Sequence, residues 1–295
     1  MEISPYHPFR SPQAKEEYLT YYDERAKGWP IPSETRMVNT SFGQTFVRIG
    51  GPSDSPPLVL LPGSVFNSLM WIPNIEALSN EYETYAVDNI YDCGRSIYTQ
   101  EIKTPIDFVQ WLDELFTALD LGNEIRLMGL SYGSWLTHQY ALQHPQRVKK
   151  IVLLAHPAIV RANIEFVFRF MLGFLSPNFL TSFFHWILRD TAQKDERSRA
   201  LLEGIIGDVK LVAKCFKPKA TFVPKLMTDD ELSNIKVPAL FLMGENEKTF
   251  SHQNAVERIM KVAPQLQTET IPHAGHDLNL AQADLVNKKV LAFLK

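Results

Sequence analysis

Gly129-Leu130-Ser131-Tyr132-Gly133 fits the pattern G-x-S-x-G, which can present a serine hydroxyl as a nucleophile toward a carbonyl carbon. The pentapeptide follows the apolar run Ile125–Leu130 (IRLMGL) and precedes a helical pattern, so the serine falls on a strand-to-helix turn. Glycines on either side let neighbouring backbone pass close by, and a helix N-terminus favours negative charge developing there. A hydroxyl alone is a weak nucleophile and needs a base within about 2.6–3.2 Å. Among eight histidines, His276 in Ile271-Pro272-His273-Ala274-Gly275-His276 is the candidate. It follows a short strand-like stretch, and Gly275 lets the loop turn the imidazole inward. His273 is its rival. The other histidines, His7, His138, His144, His156, His185 and His252, are assigned to surface, helix or cap positions.

The base in turn needs a carboxylate to fix its tautomer and stabilise the imidazolium. Met243-Gly244-Glu245-Asn246-Glu247 follows the apolar run Ala239–Met243 and supplies two glutamates. Glu247 is the choice, because a few residues of loop are needed to bend back to the histidine; Glu245 is the alternative. Attack would then create an oxyanion needing two donors. The backbone N–H of Tyr132 is one. The loop Pro62-Gly63-Ser64-Val65 offers the other, Ser64 N–H, with Val65 as the neighbouring alternative. No metal ligand set is expected.

The elements that must position these groups are legible as well. Leu58–Leu61, Tyr85–Asp88, Ile125–Leu130, Lys150–Leu154 and Ala239–Met243 are short continuous apolar runs, suited to strands buried on both faces of a parallel sheet. Arg36–Ser41 and Gln44–Ile49 around Phe42-Gly43 predict a hairpin. Helical periodicity is expected over residues 13–27, Pro105–Leu121, Tyr132–His144 and Ala283–Leu294. Strands alternating with helices mean a doubly wound α/β sheet. The alternation breaks at residues 157–234, rich in Phe and Leu (FVFRFMLGFL, FLTSFFHWIL) and then charged. This stretch is expected to be a helical cap over the C-terminal edge of the sheet, inserted into a core of residues 1–156 and 235–295; ordinary surface helices of the core are the plainer alternative.

Composition narrows the class. With 295 residues, 45% hydrophobic and 21% charged, the chain can bury a large core. A formal net charge of −3 gives no global pull toward nucleic acid or an anionic membrane. The two cysteines, Cys93 and Cys215, have no ligand-type spacing, which suits a reducing, cytoplasmic compartment. Met1–Arg10 lacks the pattern of a secretory signal. Arg169, Pro177 and His185 interrupt the most apolar stretch, Ile164–Leu188, so no membrane span is expected.

Taken together, these segments resemble the α/β-hydrolase family over nearly the whole chain, and most of all its capped bacterial carboxylesterases. LLPGSVFNSLMW resembles the loop after the first parallel strand, with Trp71 as its tryptophan. GLSYGSW resembles the nucleophile turn, LFLMGENE the acid turn and IPHAGH the histidine loop. The resemblance implies an eight-stranded, mostly parallel sheet, a Ser-acid-His triad and no cofactor. Three departures stand out. Pro62 replaces the usual histidine before Gly63, and Glu247 stands where aspartate is commoner. The segment Asp88–Ser96 is one residue longer than the family's D-x-x-G-x-G-x-S and lacks a glycine; being structural in the family, it is expected to affect function little.

The expectation is therefore a serine esterase working through an acyl-enzyme on small hydrophobic esters. Carbon–carbon bond hydrolases, lactonases, amidases and perhydrolases share the triad, and a hydrolase-fold ligand receptor is the alternative from another class. Oligomeric state is open, a homodimer included.

Overall fold

The computed structural model describes residues 4–173, 175–219 and 222–295. Among the described residues nine strands form one sheet: β1 (Ser33–Thr40), β2 (Gly43–Gly50), β3 (Pro57–Leu61), β4 (Glu83–Val87), β5 (Ile97–Tyr98), β6 (Ile125–Leu130), β7 (Val148–Leu154), β8 (Ala239–Gly244) and β9 (Gln267–Ile271). Eight lie in the continuous order β1-β2-β4-β3-β6-β7-β8-β9, and the two-residue β5 pairs off β2. The expected hairpin is present as β1 and β2, antiparallel to each other, and β2 is also antiparallel to β4. From β4 to β9 every neighbouring pair is parallel.

The continuous apolar runs follow from burial on both faces, since alternate residues of a strand point opposite ways. Val59, Leu61, Leu127, Ile151, Leu153 and Phe241 pack on one side with Trp111, Phe116 and Trp135. Their neighbours Leu58, Leu60, Met128, Val152, Leu154 and Leu240 pack on the other with Ile75, Val286 and Val290. Ahead of β1 runs α1 (Pro12–Ala26), and the helices supplying these side chains include α2 (Ile72–Ser79), α3 (Pro105–Ala118) and α4 (Tyr132–Gln143). Thr104 and Asp107 cap α3 reciprocally, fixing where it starts.

After β7 the chain leaves the sheet and forms α5 (Ile164–Gly173), α6 (Pro177–Ile187), α7 (Arg189–Lys194) and α8 (Glu196–Cys215), then α9 (Asp229–Ser233) before β8. Phe183, Phe184, Ile187, Leu202, Ile205 and Val209 form a separate apolar cluster with Leu280. Val65 and Phe66, from the loop after β3, pack against it. These helices therefore cover loops that leave the C-terminal ends of the parallel strands. The chain closes with α10 (His252–Val262), α11 (Leu278–Ala281) and α12 (Ala283–Leu294). Among the described residues no helix is long and apolar enough to cross a membrane.

One histidine departs from expectation: His138 lies on helix α4, but His156 is buried just beyond β7 rather than on a surface, helix or cap position. His138 and His156 are at most 1% exposed and stack edge to face, ring centroids 5.3 Å apart. Burial pushes the His138 imidazole down to about 4, so this pair is neutral core.

Candidate active site

Ser131 sits between the last residue of β6 and the first of α4, with φ 52 and ψ −114. A non-glycine residue rarely adopts such a backbone, and it persists only where the surroundings hold it. Here the neighbours hold it from both sides. Ser131 N–H donates to Leu154 O at the end of β7 (2.9 Å). The two glycines are demanded by contact: a Cβ at residue 129 would lie 2.2 Å from Gly133 O, and one at residue 133 would lie 2.1 Å from Leu61 O.

His276 and Glu247 come together as a pair. His276 Nδ1 and Glu247 Oε2 are 3.0 Å apart, and the carboxylate is fully buried, with 0% side-chain exposure against 11% for the imidazole. The other oxygen, Oε1, accepts from Thr249 N–H (2.8 Å) and Thr249 Oγ1 (2.9 Å). Burial works to raise the Glu247 pKa, but the His276 charge and hydrogen bond, with those from Thr249, outweigh it and hold the group below the usual carboxylate range. Desolvation works to lower the His276 pKa, and the Glu247 anion prevails and raises it. A carboxylate can only accept, so the imidazole presents Nδ1–H to Glu247 and leaves Nε2 as the basic nitrogen.

The rivals separate cleanly. Glu245 is exposed and its Oε2 accepts the His273 N–H (3.2 Å); His273 is exposed and has φ 54. Neither joins the buried pair. A Cβ at Gly244 would meet the carbonyls of Gly275 and Ala274 at 2.2 and 2.3 Å, so the histidine loop lies directly over the end of β8.

Of the sequence-predicted donors, Tyr132 N–H and Ser64 N–H have no hydrogen-bond partner among the described residues, whereas Val65 N–H is taken by the Asp92 carboxylate at 3.1 and 3.2 Å. Ser131 Oγ and His276 Nε2 likewise make no hydrogen bond among the described residues.

Three supporting groups escaped the sequence reading. Thr249 holds the acid, as above. Asp277 Oδ2, beside His276, accepts from the Thr191 N–H (2.8 Å) and Oγ1 (2.6 Å) of α7, and Asp277 Oδ1 from Gly275 N–H (3.3 Å). Burial raises the Asp277 pKa despite these donors. Asp88 Oδ1 takes the Ser68 N–H (2.8 Å) and Asp88 Oδ2 the Arg95 N–H (2.8 Å). The segment expected to be functionally neutral, Asp88–Ser96, thus grips the loop after β3 at two points. Only its acidic residues, two within five positions, could have hinted at this.

Comparison with known proteins agrees with this architecture. Carboxylesterase YbfK of Bacillus subtilis is 36% identical over 277 residues, which span 92% of each chain. The crystal structure of that carboxylesterase (CesB) matches with a TM-score of 0.85 at 33% identity, covering 96% of this chain and 98% of that one. The crystal structure of naproxen esterase (carboxylesterase NP) from Bacillus subtilis gives a TM-score of 0.87 at 31% identity and covers 100% of both chains. A family model described as the alpha/beta hydrolase fold matches residues 56–282. The chain belongs to the α/β-hydrolase fold family.

Proposed function

We propose that this protein is a serine carboxylesterase with Ser131 as nucleophile, His276 as general base and Glu247 as the acid that orients it. The observation that carries the reading is the buried His276–Glu247 contact at 3.0 Å, on the sheet edge where the strained Ser131 turn also lies. The named activity of the Bacillus relatives supports it.

The strand ends of β6 and β8 are two spacings, about 10 Å, apart. The histidine loop lies over the end of β8, and the mechanism requires Ser131 Oγ and His276 Nε2 to close that gap, as catalytic hydrogen bonds often do only when substrate arrives. Ser131 Oγ attacks the ester carbonyl carbon while His276 Nε2 takes its proton. The carbonyl oxygen becomes an oxyanion held by the N–H groups of Ser64 and Tyr132. The tetrahedral centre collapses, the C–O bond to the alcohol breaks, and the imidazolium protonates the leaving oxygen. Water, deprotonated by His276, then attacks the acyl-enzyme and releases the acid.

The substrates proposed are small hydrophobic esters. Residues 157–234 serve as a cap on the core of residues 1–156 and 235–295, bringing Phe183 and Phe184 to Phe66 beside the Ser64 loop. Such an apolar wall favours hydrophobic acyl or aryl groups over charged ones. The two cysteines, free and buried, support a reducing cytoplasmic setting. A fluorophosphonate should label Ser131 stoichiometrically, and Ser131→Ala should abolish turnover of p-nitrophenyl and aryl esters. Labelling of another residue, or turnover surviving in the variant, would defeat the assignment.

A further inference from the structure

The loop after β3 carries a local conflict. Gly63 to Phe66 forms a tight turn closed by Phe66 N–H to Gly63 O at 3.2 Å. Its third residue, Val65, has φ 62. That corner favours glycine, and a β-branched side chain is the poorest choice for it. Left to itself, the Ser64–Val65 peptide would relax toward negative φ, and Ser64 would turn with it. The compensating contact is Asp92, only 8% exposed, whose two carboxylate oxygens lie 3.2 and 3.1 Å from Val65 N. Asp92 is itself fixed: its carbonyl accepts from Lys219 Nζ at 2.8 Å, and that ammonium sits over the rings of Tyr91 and Tyr98.

We propose that Asp92 is a positioning residue for the oxyanion site, holding Val65 N–H so that the turn keeps its left-handed corner and the neighbouring Ser64 N–H stays free for the substrate oxygen. The inference rests on the reading of Ser131 as nucleophile. It assigns a task to the lengthened Asp88–Ser96 segment, and it explains why Val65 N–H is not itself the donor. Asp92 touches no reacting atom; it acts through Val65.

The test compares kcat and KM on one p-nitrophenyl ester for wild type, Asp92→Ala, Asp92→Leu and Asp92→Asn, with Val65→Gly made alone and with Asp92→Ala. Loss of one oxyanion donor outright lowers turnover about 10²–10³-fold, so misplacing it in Asp92→Ala should lower kcat roughly 10–100-fold while KM moves less than about threefold. Asp92→Leu, which fills the space without an acceptor, should match Asp92→Ala and serves if the alanine variant fails to fold. Asp92→Asn, whose amide oxygen accepts the same N–H, should stay within about fivefold of wild type. Glycine holds positive φ without strain, so in the Val65→Gly background loss of Asp92 should lower kcat by no more than about threefold. A kcat loss under threefold in Asp92→Ala and Asp92→Leu would overturn the proposal, as would an Asp92→Asn variant as slow as both or an undiminished loss in the glycine background. Fluorophosphonate labelling of wild type separates the two readings: a label away from Ser131 sinks the nucleophile, whereas a label on Ser131 with unchanged Asp92 variants sinks only the role of Asp92.

Discussion

Replacing Glu247 by glutamine tests the site where its geometry is most exacting. In the native arrangement Oε1 accepts both donors of Thr249, at 2.8 and 2.9 Å, and Oε2 faces His276 Nδ1 at 3.0 Å. A glutamine keeping the same rotamer must give its single carbonyl to Thr249, because neither Thr249 N–H nor a hydroxyl donating to that oxygen tolerates an N–H in its place. The amide N–H then faces Nδ1, which becomes an acceptor, and the imidazole proton moves to Nε2. The base would point a donor at the nucleophile. An error of tautomer of this kind lowers turnover about 10⁴-fold in a serine protease triad, equal to about 5.4 kcal/mol at 1.36 kcal/mol per decade. The pH profile moves too. Catalysis requires neutral His276, so the wild-type kcat/KM should rise with pH through a midpoint above the ordinary histidine value, because Glu247 raises that pKa. Without the anion, desolvation dominates and the acid limb should shift to lower pH. Stopped-flow or steady-state hydrolysis of a p-nitrophenyl ester across pH 5–9, with melting curves for both proteins, measures both effects. A loss below tenfold, or an acid limb that stays in place, would refute this account.

Two further outcomes follow from contacts around the site. Gly133→Ala places a Cβ 2.1 Å from Leu61 O and 2.6 Å from Pro62 O, all backbone; a loss of about 2–4 kcal/mol, or failure to fold, is expected in chemical denaturation, and a midpoint unchanged from wild type would contradict it. Thr191→Val removes the hydroxyl 2.6 Å from the buried Asp277 carboxylate, which should destabilise by about 1–3 kcal/mol and raise KM through a looser α7; wild-type KM and melting temperature together would show that this tie is idle.

The sheet and the pairing of His276 with Glu247 could be read from the sequence because each leaves a local trace. Buried strands leave unbroken apolar runs such as Leu58–Leu61, and the turn at Ser131 leaves two glycines that no other residue could replace. The choice of Glu247 over Glu245 was also local, a matter of how many loop residues are needed to bend back. Nothing local marks Thr249, which works only because it folds back onto the Glu247 carboxylate. His156 shows the matching limit: a histidine reads as polar until its neighbours are known, and its partner, His138, lies far off on α4.

What the sequence could not reveal is how the loops of the candidate site are tied to elements far along the chain. Asp92 holds the loop of Ser64 and Val65, and Asp277 joins the histidine loop to Thr191 of α7. Both are single buried carboxylates accepting backbone N–H groups, a use that any aspartate could serve and no spacing predicts. Buried carboxylates without such donors would carry a severe desolvation penalty, so each of these aspartates constrains two loops at once: moving either loop strands a charge. A site that needs hydroxyl, imidazole and two N–H groups aligned to within a fraction of an ångström gains its rigidity from those ties.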